Sequence, residues 1–99
     1  IDPGNPVALN NLAWLLLTSE DSALRNPLRA LVLAQRAVIQ SSESHVLDTL
    51  ATAYWANGMA DEAIRTEMEA LNGATSQRDF YRSQLEKFRT ETYESEPPI

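Results

Sequence analysis

Small side chains at regular helical intervals constrain this chain more than any other feature. In "LATAYWANGMADEA", residues 50 to 63, Ala51 and Ala63 stand on either side of an Asn57-Gly58 break. Helices approach closely only where the facing side chains are small. Glycine tolerates the positive φ that ends one helix and lets the next turn back on it. The layout occurs twice. Leu9, Leu12, Ala13 and Leu16 match Leu47, Leu50, Ala51 and Tyr54 residue for residue, and Ala30, Ala34 and Ala37 match Ala63, Glu67 and Ala70. This pattern predicts an all-α fold made of a repeated antiparallel helix pair.

Local signals place five helices. Asn5-Pro6 and Asn26-Pro27 each set a side chain that caps orphan amides before a proline suited to the first turn. They predict helices over Val7–Thr18 and Pro27–Gln40. A polar link at 41–44 precedes a third helix, which stops at Asn57-Gly58. Asp61 and Glu62 put negative charge at the start of a fourth, whose expected apolar face is Ile64, Met68 and Leu71 and whose stop is Asn72-Gly73. A fifth helix is expected over about 77–90, with Phe80, Tyr81, Leu85 and Phe88 within an arc of about 140°. The segment 91–99, "ETYESEPPI", has three acids, two prolines and no base, and is read as an acidic disordered tail.

Residues 44–77 resemble one unit of the tetratricopeptide repeat family, whose repeat runs to about 34 residues. Leu47, Leu50, Ala51, Tyr54, Gly58, Ala63 and Ala70 fall on that family's marked positions. Four positions depart from it: Leu47 stands for a Trp, Ala60 and Glu67 for aromatics, and Thr75 for the closing Pro. Residues 6–43 form a first unit with a longer turn, since Ala13 to Ala30 spans 17 residues where Ala51 to Ala63 spans 12. The fifth helix, 77–90, fits a further first helix loosely, with Gln84 in place of Leu, and is read as a cap. The resemblance thus implies an α-solenoid domain over 1–90. "IDPGNP" is similar to the family's unit closure, so a further helix pair is expected before Ile1. Without such a neighbour the first pair keeps an open apolar face.

The resemblance also implies a groove lined by the first helix of each pair. One stripe of the third helix, His45, Asp48, Thr52 and Trp55 at offsets 0, 3, 7 and 10, is set apart from the core arc. Its counterparts on the first helix are Val7, Asn10, Trp14 and Leu17. Two readings of the tryptophans stand side by side: anchors for a bound peptide or partner helix, or completion of the core against adjacent helices. His45 and Asp48 suit a basic or neutral peptide, or are simply solvated. One branch of the family clamps acidic peptide tails with cations on these positions. Asn10 with Trp14 and Asp48 with Thr52 supply none, so that clamp is not expected here. Arg82, Glu86 and Arg89 would extend the stripe or pair among themselves.

Composition removes other classes. Eight bases against fourteen acids give a net charge of -6, which repels phosphate backbones, so no nucleic-acid partner is expected. No apolar run approaches the ~20 residues of a membrane helix. There is no cysteine, one histidine and no phosphate-binding glycine loop, and Ser41, Ser42 and Ser44 lack a second histidine to activate them. Neither catalysis nor a cofactor or metal is expected. A secreted and a cytosolic address both fit, with the cytoplasm slightly favoured. The expected role is a non-catalytic protein-interaction scaffold that presents a helical groove. The alternative is a structural segment that self-associates through the open face of the first pair.

Overall fold

Two Asn-Pro pairs start the first two helices as their side-chain chemistry requires. In the computed structural model, which describes residues 4–93, α1 (Pro6–Thr18) begins where Asn5 Oδ1 accepts the Val7 N–H at 2.8 Å. α2 (Pro27–Gln40) begins where Asn26 Oδ1 accepts the Arg29 N–H at 3.2 Å. Between them the longer turn carries one turn of 3-10 helix, Ser22–Leu24, with Asp21 Oδ1 accepting the Ala23 N–H. Then follow α3 (Ser44–Ala56), α4 (Ala60–Gly73) and α5 (Arg78–Thr90). No strand occurs among the described residues.

The α3–α4 turn follows from Gly58. Its φ is 78°, and the Gly58 and Met59 N–H groups donate to Trp55 O at 3.0 Å and Tyr54 O at 2.9 Å. Both orphan carbonyls are thereby satisfied, with glycine at the left-handed position. Asn72-Gly73 ends α4 differently. Gly73 stays helical, and the left-handed residue is Gln77, with φ 57°. Arg78 Nη1 donates to Leu71 O at 2.7 Å and Ala74 O at 3.1 Å, so a guanidinium covers the carbonyl end.

Hydrogen bonds between opposite helix ends fix an antiparallel course. Gln40 Nε2 donates to Gly4 O, Asn57 Nδ2 to Pro27 O at 2.9 Å, and Ser44 Oγ to Ala70 O at 2.7 Å. They tie α2 back to the start of α1, α3 to α2, and α4 to α3. Each helix packs on its chain neighbours, while α1 also touches α3 and α3 touches α5. The alanines sit at these crossings. Ala13, Ala30, Ala34, Ala37, Ala51, Ala63 and Ala70 have no exposed surface. Leu9, Leu17, Leu31, Leu33, Val46 and Leu50 close one cluster around them, and Trp55 with Phe88 and Leu47 with Tyr81 close two others.

Three expected faces shift. On α1, Leu17 is buried and Leu12 exposed, because α2 and α3 cover one side of that helix and nothing among the described residues covers the other. On α4, Met68 is exposed, and the buried line is Ala63, Glu67 and Ala70. On α5, Tyr81, Leu85 and Phe88 are buried while Phe80 stays exposed at the edge of the Tyr81 ring. Arg82 pairs with Asp79 at 2.9 Å rather than with Glu86.

The tail also differs from its expected disorder at residues 91–93. Trp55 Nε1 donates to Glu91 O at 2.9 Å, and the Tyr93 hydroxyl donates to Leu17 O at 2.8 Å. The Tyr93 ring meets Trp55 edge-on with centroids 5.3 Å apart. Aromatic burial and two hydrogen bonds hold what charge composition alone leaves loose. Residues 94–99 lie outside the described residues, as do 1–3.

Candidate functional site

α1, α3 and α5 lie in a row, and two cavities open along it. The first, about 480 Å³, is lined by Asn10, Asn11, Trp14, Leu15, Thr18, His45, Asp48 and Thr49. The second, about 640 Å³, lies between Trp14, Leu17, Thr52, Trp55, Gln84 and Tyr93, among others. Trp14 and Thr18 belong to both, so the cavities meet at that indole.

Seven of the eight residues expected on a groove line one cavity or the other. Asn10, His45 and Asp48 line the first, Leu17, Thr52 and Trp55 the second, and Trp14 both. Val7 is exposed on α1 and lines neither. Their accessibility is uneven. His45 is open to solvent and Trp14 half-buried, but Asn10, Leu17, Asp48, Thr52 and Trp55 are buried. Trp55 completes the core on its own side: its ring meets Phe88 at 5.5 Å and Lys87 Nζ lies 4.9 Å from its centroid. α5 and residues 91–93 cover this end of the stripe, which neither periodicity nor spacing on α3 reveals.

A buried polar chain joins Asp48 of the first cavity to Thr52 and Gln84 of the second. Gln84 Nε2 donates to Asp48 Oδ1 at 3.1 Å and reaches Thr52 Oγ1 at 3.4 Å, and Thr52 Oγ1 donates to Asp48 O at 2.9 Å. Glu67 faces the same carboxyl from α4 with 0% exposure. No donor group faces either Glu67 oxygen. Two facing carboxyls cannot both stay ionised cheaply in the interior, and burial favours the neutral form of Glu67. Burial first, then the hydrogen bond to Asp48 and its charge, push Glu67 up to about 10. Burial also raises Asp48, against the lowering effect of its bonds from Glu67 and Gln84 and of the Lys87 and His45 charges. The Tyr81 hydroxyl is raised by burial and by the same two acids. The chain's two polar departures on α4 and α5, Glu67 and Gln84, are thus one feature. Each meets Asp48, and pattern-matching one position at a time conceals the pairing.

Glu67 is closed off from both cavities, and the one histidine, His45, lies beside Glu43 with Nδ1 to Oε2 at 3.6 Å. Among the described residues no group of three or more potential metal ligands gathers. No helix among them is long and apolar enough to cross a membrane. Comparison with protein-family models, curated proteins and solved structures gives no match to this chain.

Proposed function

We propose that this chain is a non-catalytic interaction module of the tetratricopeptide kind, whose α1–α3–α5 row receives an extended peptide from a partner protein. The observation that carries this reading is the pair of cavities joined at Trp14, a half-buried indole lying between two helices of the row. Large aromatic anchors in such positions dominate binding energies. The antiparallel course of the helices and the α1–α3 and α3–α5 contacts support a stacked-repeat architecture. The test is panning of a displayed library of short random peptides on the full chain and on Trp14→Ala. Peptides that hold the first and not the second support the reading. Equal recovery on both overturns it.

A second reading has its own observation. Leu28, Val32 and Ile39 form one exposed stripe on α2, with Leu28 at 68% and Ile39 at 85% exposure. Such a stripe suits an antiparallel seam with a second copy of the chain. Sedimentation of the chain and of Val32→Glu/Ile39→Glu decides it: a dimer lost in the variant supports this reading, and a monomer in both removes it.

A further inference from the structure

We propose that the cavity between α1 and α3 is the subsite for a lysine or arginine side chain of the bound peptide, seated beside Asp48 and Asn10 against the Trp14 ring. This rests on the peptide-groove reading above.

The lining supplies acceptors and an aromatic face, with no lysine or arginine among its residues. Asn10 is 8% exposed and its Oδ1 has no donor. A buried polar oxygen left in that state is costly, and a donor from a ligand recovers the loss. Asp48 is 5% exposed, and among the described residues no base forms an ion pair with it. Gln84 Nε2 takes up one Asp48 oxygen, and the carboxyl keeps further acceptor capacity in the cavity floor. A carboxyl in a low-dielectric wall attracts a cation strongly. Trp14 adds the face over which an ammonium or guanidinium is favoured.

The remaining lining agrees. Asn11, Thr18 and Thr49 carry no charge, and the Thr18 and Thr49 hydroxyls spend their protons on Trp14 O at 2.8 Å and His45 O at 3.1 Å, which leaves their oxygens as acceptors. His45 is the one basic residue of the lining, and its Nδ1 lies 3.6 Å from Glu43 Oε2. The second cavity differs, since Lys87 stands over Trp55 within it and Glu91 lines it too. A basic side chain is therefore steered to the α1–α3 end, and the row acquires a direction.

The experiment uses the same displayed peptide library on the full chain, on Asp48→Asn and on Asn10→Val, with circular dichroism to establish that each variant is folded. The expected result is a lysine or arginine at one fixed position of the selected peptides. Its replacement by alanine should weaken binding to the full chain about tenfold or more, and that dependence should shrink in Asp48→Asn. Asn10→Val, which leaves the Asp48–Gln84–Glu67 contacts untouched, should also weaken the basic peptides, so the inference stays testable if Asp48→Asn does not fold. Selected peptides that need Trp14 but carry no base, or that bind Asn10→Val and Asp48→Asn as well as the full chain, overturn the cation subsite and leave the groove standing. Recovery of no Trp14-dependent peptide overturns both.

Discussion

Gln84 and Asp48, thirty-six residues apart in the chain, meet in the interior with Nε2 donating to Oδ1 at 3.1 Å. This bond links α5 to α3 through a position where a helical repeat of this pattern would carry leucine. Gln84→Leu fills the space but leaves a buried carboxylate short of a donor. Loss of about 1–3 kcal/mol is expected, read as a lower urea midpoint at neutral pH.

Glu67 makes stability depend on pH in a defined direction. Unfolded, it titrates near its ordinary 4.5; folded, it keeps its proton to about 10. Its folded value is raised, so the stability it allows is complete below the unfolded value and is lost as pH climbs toward the folded one. Over that window unfolding releases a proton, and each pH unit lowers stability by up to about 1.4 kcal/mol. Glu67→Gln keeps the shape and a donor toward Asp48 without needing a proton. The variant should match the parent near about pH 4.5 and exceed it by about 1–3 kcal/mol near pH 7, in urea titrations run across that range.

Tyr93 holds the chain's last described turn to α1 through Leu17 O and shields Trp55. Tyr93→Phe should lose only the hydroxyl bond, about 0.5–1.5 kcal/mol, and leave the Trp55 surroundings intact. Removal of residues 93–99 should do more: Trp55 gains solvent, and tryptophan emission shifts to longer wavelength. Unchanged emission would show that α5 alone covers the indole.

The helix count, both asparagine caps and the alanine crossings were legible because each is a local matter of spacing or of one side chain bonding its own backbone. The buried face of α1 was not, since Leu12 and Leu17 are equally apolar and only the position of α2 and α3 decides between them. The groove was legible as a stripe on α3 but not as a cavity. What covers Thr52 and Trp55 comes from α5 and residues 91–93, far along the chain. Glu67 was visible as a misfit in an alanine line. Its meaning depended on Asp48 standing opposite, a relation across helices that no single-helix period contains.

Trp14 and Trp55 lie on the same stripe of the two helix pairs, Trp14 in the place of Thr52 and Trp55 in the place of Leu17, and the structure separates their roles. Trp55 is buried against Phe88 and Tyr93 and donates to Glu91 O, so Trp55→Ala opens a void and strands a carbonyl. A loss of about 3–5 kcal/mol is expected, enough to unfold a chain of this size under mild denaturant. Trp14 is half-buried between the two cavities, with no aromatic ring stacked on it among the described residues. Trp14→Ala should therefore cost about 1 kcal/mol or less while removing peptide capture. The check is one pair of measurements on each variant, a urea midpoint and recovery of library peptides. If Trp14→Ala proves as destabilising as Trp55→Ala, the indole belongs to the core and the row loses its anchor.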